Sequence, residues 1–144
     1  MLVAILDDDT SRRLEMERSL TEALPNTTLQ HFDNAPDMIA WLARNMETVS
    51  LISLAHDLGP SRLRDGMLFD PGTGRDVTDF MLELDEAFPV VVHARTCPGS
   101  RTILAMLERA GWPSVRVQPK SDLKWIKTAW LPAVTGLLDE TDSA

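Results

Sequence analysis

Two histidines at the ends of apolar runs, three consecutive aspartates and two glycine-flanked hydroxyls are the residues of this chain with types and spacing suited to chemistry. His56-Asp57 follows Leu51-Ile52-Ser53-Leu54-Ala55, and His93 closes Pro89-Val90-Val91-Val92. Asp7, Asp8 and Asp9 follow the run from Leu2 to Leu6. Two imidazoles facing one substrate can act as general base and general acid on a phosphodiester, one activating water and the other protonating the leaving oxygen. Asp57 could orient an imidazole, or join Asp8 and Asp9 around a hard cation such as Mg²⁺, which the reaction does not require. Thr73-Gly74-Arg75 and Gly99-Ser100, with Arg95 just before the second, open helices whose free N–H groups suit an anion. Each feature also has a plainer reading. A His-Asp pair can cap backbone groups, acidic residues favour a helix N-terminus, and any tight turn uses Gly-Thr-Gly.

The elements that must position these residues follow from the hydrophobic pattern. Apolar runs without polar alternation suit strands covered on both faces, as in a parallel sheet. Strands are expected at Leu2–Leu6, Thr27–Phe32, Thr48–Ala55, Pro89–His93 and Ser114–Gln118, the second more polar and hence at an edge. His31, on that edge strand, reads as a surface residue. Helices are expected from about Ser11 to Leu24, with Leu14, Leu20, Ala23 and Leu24 inward, and then through Pro36 to Met46, capped by Asn34 or Asp33. Further helices run through Val77 to Leu84, through Ile103 to Ala110, and from near Ser121 or Asp122 through Trp125 to Leu138, with Pro132 expected to kink or restart the last. Between the third strand and its helix lies a long polar excursion from Pro60 to Arg75, of a length often associated with functional lids. Cys97 reads as an ordinary small residue, and the four tryptophans as packing groups.

Five strands alternating with five helices predict a single α/β domain, a doubly wound parallel sheet in the order 2-1-3-4-5, spanning residues 1–139 with a frayed tail at 140–144. In that order strands 1, 3 and 4 are neighbours. Their carboxyl ends bring Asp7 to Asp9, His56 with Asp57, and His93 into one mouth, where open sheets of this kind place their ligands. The bulk numbers restrict the partners. A formal charge of −8 disfavours duplex nucleic acid. No basic tract suits an anionic membrane surface, and no stretch has the roughly 20 apolar residues of a membrane span. One cysteine, without an internal disulfide, fits a reducing cytoplasm, and the apolar start lacks the basic segment of a signal peptide.

In this layout the sequence resembles the receiver domains of two-component signalling. Asp7-Asp8-Asp9 is similar to their acidic pair, and Ala55-His56-Asp57-Leu58-Gly59 to their phosphoacceptor loop. Ala55 stands where receivers carry the acceptor aspartate, and Gln118 where they carry a lysine, although Lys120 is close by. An acyl phosphate cannot form on alanine, so ordinary phosphorelay is not expected. A nearer resemblance is to the cyclic-phosphate-processing receiver domains, carried by His56-Asp57-Leu58-Gly59, Thr73-Gly74-Arg75-Asp76 and Val92-His93. Ala55 departs from that group too. The resemblance implies a flavodoxin-like, receiver-type fold. It also implies hydrolysis or binding of a cyclic phosphate or related phosphoester, with His56, His93 and Asp57 catalytic and Thr73, Gly74, Arg75, Arg95 and Ser100 holding the phosphate. The other expectation is a non-catalytic pseudo-receiver that acts in signalling by contact with a protein partner.

Overall fold

The structure is a computed structural model that describes residues 1–143. Five parallel strands, β1 (Leu2–Leu6), β2 (Thr28–Phe32), β3 (Leu51–Leu54), β6 (Val90–His93) and β7 (Ser114–Val117), form one sheet in the order β2-β1-β3-β6-β7. In chain order of these five strands, that is the expected 2-1-3-4-5. The three central strands are apolar apart from Ser53 and the closing His93, and their residues are almost all fully buried. Register fixes the mouth: Leu6 pairs with Leu54 and Leu54 with Val92, so the three strands end at one level.

Strand alternation sorts the core into two layers. Ala4, Leu6, Ile52, Leu54, Val90 and Val92 face α2 (Ala35–Asn45), α3 (Gly74–Met81) and α4 (Pro98–Arg109). Val3, Ile5, Leu51 and Val91 face α1 (Thr10–Ala23) and α5 (Leu131–Ser143). By the same parity Asp7, Ser53 and His93 belong to the second layer.

Local chemistry sets the helix limits. Asp9 caps α1 by accepting from the backbone N–H of Arg12, and Asn34 caps α2 through Asp37 N–H, with Pro36 in the first turn. Leu14 and Ala23, expected inward, are exposed; Met16, Ser19 and Leu20 form the buried stripe, which leaves Leu14 off the inward face of the helix. His31 is half-buried rather than a surface residue. Pro132 has no N–H for the carbonyl four residues back, and its ring crowds that carbonyl. The chain accordingly widens into a π-helical turn over Ile126–Trp130 and restarts as α5. That helix continues through Ser143, where the sequence predicted fraying from residue 140.

The polar excursion holds an element absent from the sequence reading, an antiparallel hairpin of β4 (Arg62–Arg64) and β5 (Met67–Phe69). Its turn is Asp65-Gly66, with φ of 54° and 78°. Positive φ at both central residues matches the right-handed twist of the flanking strands, and Asp-Gly supplies it at least strain. Arg62 reaches Asp33 at 3.0 Å and Arg64 reaches Asp37 at 3.1 Å, so the hairpin is tied to the start of α2. Phe69 lies under both guanidinium groups.

Candidate functional site

At the carboxyl end of the sheet, Asp8, Arg12, Ala55, His56, Asp57, Gly59, His93 to Cys97, Pro119, Lys120 and Ser121 line a cleft of about 800 Å³. The size is that of an ordinary small-ligand site. The predicted convergence of the first, third and fourth sheet strands on one mouth is what the strand ends produce.

The two histidines enter this mouth from opposite layers. His56 is half-buried in the loop after β3, its ring laid against Gly99 at the start of α4, where any Cβ would collide with the imidazole. His93 turns the other way, toward α1 and α5, with no exposed side-chain surface. Its Nε2 donates to Asp7 Oδ2 at 3.0 Å and its Nδ1 lies 2.7 Å from Ser53 Oγ. Trp130 Nε1–H donates to the same hydroxyl at 2.9 Å, and Trp125 stacks on the imidazole. With the ring proton on Nε2, Nδ1 accepts from Ser53, and every donor and acceptor in this buried chain is used.

This corrects the expectation of two solvent-facing imidazoles: His93 has no nitrogen free for a substrate. Asp7, His93 and Ser53 are joined in the order of a hydrolase triad. Ser53 is nevertheless fully buried in the centre of the sheet and cannot meet a substrate.

Asp7 has no exposed surface, and its two oxygens take three donors. Asp9 N–H donates to Oδ1 at 2.8 Å, Arg12 Nη2 to Oδ1 at 3.0 Å, and His93 to Oδ2. Burial alone would push this carboxyl up; the hydrogen bond from His93, the Asp9 N–H and the Arg12 guanidinium outweigh it and hold it below the usual aspartate range. Asp8, facing the cleft, is shifted the opposite way, by burial and then by the neighbouring negative charge of Asp7. Cys97 caps α4: its Sγ accepts from Ser100 N–H at 3.4 Å, and that bond is the largest of the effects that lower the thiol pKa.

The remaining expected residues divide clearly. Asp57 is exposed on the cleft wall, with Oδ1 accepting from Gly59 N–H at 2.9 Å. Arg95 is exposed and lines the same cleft. Ser100 is buried and donates to Arg95 O at 2.7 Å, so it closes the turn into α4 and does not line the cleft. Thr73 and Asp76 form the capping box of α3, Gly74 N–H donates to His56 O at 2.9 Å, and Arg75 points along its own helix toward Asp79. The anion cradle expected at Thr73-Gly74-Arg75 is therefore spent on backbone capping, and none of the three lines the mouth.

For a divalent ion the cleft offers two carboxylates, Asp8 and Asp57, and the rest of the acidic run adds no third. Asp9 is committed as the N-cap of α1, the oxygens of Asp7 are taken, and Ala55 offers no donor. Among the described residues no group of three or more histidine, cysteine or acidic side chains is placed to hold a metal.

Sequence reasoning missed Arg12, Ser53 and Trp130. A signal existed for Arg12, a basic residue one helical turn beyond the acidic run. Another existed for Ser53, a hydroxyl inside an otherwise apolar central strand, which must find a partner when buried. Nothing in the sequence marked Trp130, 77 residues away, as that partner.

The sequence matches the family described as cyclic-phosphate processing receiver domain over residues 3–109. No curated protein matches the chain significantly. Among solved structures, it is similar to a CheY-like response regulator receiver domain protein from Methanospirillum hungatei, with 14% identity and a TM-score of 0.67, covering 99% of this chain and 96% of that one. The response regulator domain of Thermotoga maritima CheB gives 10% identity and a TM-score of 0.67, with 96% of each chain covered. CheY of Borrelia burgdorferi, in its complex with CheX, BeF₃ and Mg²⁺, gives 12% identity and a TM-score of 0.67, covering 94% of this chain and 87% of that one. At these identities the structures speak for the fold, which is that of a receiver. The family match spans most of the chain and takes in His56-Asp57-Leu58-Gly59, Thr73-Gly74-Arg75-Asp76 and His93; the protein belongs to the cyclic-phosphate processing receiver domain family.

Proposed function

We propose that the mouth binds a small phosphoester, with a cyclic phosphate as the class the family suggests, and that His56 is the group that moves a proton there. The observation that carries this is one cleft of ligand size in which His56 is the imidazole with no hydrogen bond to its ring among the described residues, beside the cationic side chains Arg12, Arg95 and Lys120. These three favour an anion locally although the chain as a whole is negative. With His93 committed to Asp7 and Ser53, one imidazole serves one proton transfer. Any hydrolysis should then depend on one imidazole rather than on two histidines acting as an acid–base pair.

The test is titration of the intact protein with inorganic phosphate and with 2′,3′- and 3′,5′-cyclic nucleotides, followed through the His56 ring resonances and by phosphate release. The expected result is saturable movement of the His56 signals, and a loss of about 10²–10⁴-fold in any turnover for His56→Ala. Turnover that survives His56→Ala, or a ring that ignores every ligand in the panel, would sink the reading.

A second reading has its own observation. Leu63, Met67 and Leu68 on the hairpin are each about three-quarters exposed, which favours a protein contact over catalysis as the role of that element. Receiver domains commonly act through such contacts, as the CheX–CheY complex illustrates for that CheY.

A further inference from the structure

A receiver mouth is acidic by construction, and an acidic pair at a strand end needs a positive charge to hold it together. In this chain that charge is covalently attached. Arg12 lies in the first turns of α1, and its Nη2 reaches Asp7 Oδ1 at 3.0 Å and Asp8 Oδ1 at 3.9 Å. The Arg12 side chain is about three-quarters buried and lines the cleft. Asp9, the third acid of the run, caps the same turn and fixes the helix from which Arg12 projects. Across the mouth, the strand-end position that could have offered a further carboxylate is the methyl group of Ala55.

We propose that the Arg12 guanidinium is the resident cation of the acidic pair, occupying the electrostatic role of a divalent ion, so that this mouth does not take up Mg²⁺. Three observations meet here. The fully buried Asp7 has an Arg12 donor, an Asp9 backbone donor and a His93 donor on its two oxygens, which leaves little lone-pair capacity for a metal. Asp8 is the one member of the pair that faces the cleft, joined there by the exposed Asp57, whose Oδ1 already accepts from Gly59 N–H, so an ion would find two single carboxylates and none of the Asp7 oxygens. An ion seated between Asp7 and Asp8 would also have to displace a like charge already there. The inference rests on the geometry of the acidic pair alone and stands whether or not the cleft binds a phosphoester.

The experiment uses metal alone as the probe. Mg²⁺ is titrated into the intact protein by calorimetry, and Mn²⁺ is followed by paramagnetic broadening of the resonances around Asp8, for the native chain, Arg12→Gln and Arg12→Lys, with circular dichroism to verify folding. The expected result is no saturable binding to the native chain or to Arg12→Lys, which keeps the positive charge. Arg12→Gln should bind Mg²⁺ at least about tenfold more tightly than either, a difference of about 1.4 kcal/mol. Saturable Mg²⁺ binding by the native chain with a Kd below about 1 mM overturns the proposal. So does a folded Arg12→Gln that binds no better than the native chain. Should Arg12→Gln fail to fold, the native chain and Arg12→Lys decide the matter on the first criterion. Phosphate titration of the same samples reports separately on the ligand reading: a native chain blind to both phosphate and Mg²⁺ leaves Arg12 in its role and removes the phosphoester.

Discussion

The hydroxyl of Ser53 shows how much one atom can carry in a receiver-type core. It accepts from the Trp130 indole and serves His93, and His93 in turn serves Asp7. Removing the hydroxyl leaves a ring nitrogen and an indole N–H buried without partners, and an unpaired buried polar group costs about 1–3 kcal/mol. Ser53→Ala should therefore lower unfolding stability by at least that amount in urea denaturation, although it deletes a single oxygen and opens almost no cavity. A neutral or stabilising Ser53→Ala would mean that the chain of hydrogen bonds does not hold. His56 is the contrasting case: the same residue type at a neighbouring strand end, but half-buried in the loop against Gly99 rather than sealed in the sheet. The sequence could mark both imidazoles as strand-end residues. It could not distinguish them, because the partners of His93 lie 40 and 86 residues away and orientation depends on which layer each ring enters.

Among the elements, legibility followed burial. β1, β3 and β6 are nearly continuous apolar runs, and their covered faces could be read directly. Asn34 was likewise visible as one of two candidate caps of α2, whereas Thr73, expected to hold a phosphate, instead caps α3 with Asp76. The hairpin escaped because its strands are three residues each and its large apolar side chains point outward, so no periodic signal rose above the polar background. The Asp65-Gly66 pair was the clue, a two-residue turn with a strong hairpin preference. Gly66 has φ of 78°, and an added Cβ there would meet nothing. Gly66→Ala thus isolates the backbone contribution, about 1–2 kcal/mol of local strain for a left-handed alanine. Amide exchange should accelerate across Arg62–Phe69 while the sheet core stays protected; unchanged exchange in the hairpin would show that the turn does not depend on glycine.

At the scale of the whole molecule, acid is the condition that searches out the mouth. Asp7 titrates below the ordinary aspartate value, so the unfolded chain binds its proton first as pH falls. The stability contributed by this residue is complete above about pH 4 and is lost as pH drops through its lowered folded value. Melting temperatures measured from neutral pH down to about pH 2 should fall more steeply for the native protein than for Asp7→Asn. The variant starts less stable, because the Arg12 and His93 donors then face a neutral partner, and the two curves approach one another in acid. Parallel curves would show that Asp7 is not the coupled group. The global architecture was the most legible level of all, since five alternating strand–helix units admit few sheet orders with right-handed crossovers. The helical continuation to Ser143 was less so, because the polar tail carries no inward stripe to announce it.

The two glycines that hold the His56 loop have a consequence for which sequences this family member can explore. Gly74 admits the carbonyl of Ala55 into the space a side chain would fill, and Gly99 admits the imidazole of His56 in the same way. Neither has the positive φ that ordinarily makes glycine irreplaceable, so neither would be singled out by backbone conformation. Gly74 is nonetheless closed to every other residue unless the loop after β3 shifts, and any side chain at position 99 would have to turn the His56 ring aside. The mouth is consequently wedged between the first turns of α3 and α4, and a drift of either helix start would be paid for at His56. In a population of variants, position 74 should stay glycine, position 99 should change only where the His56 ring is displaced, and the surfaces of the same two helices should diverge freely.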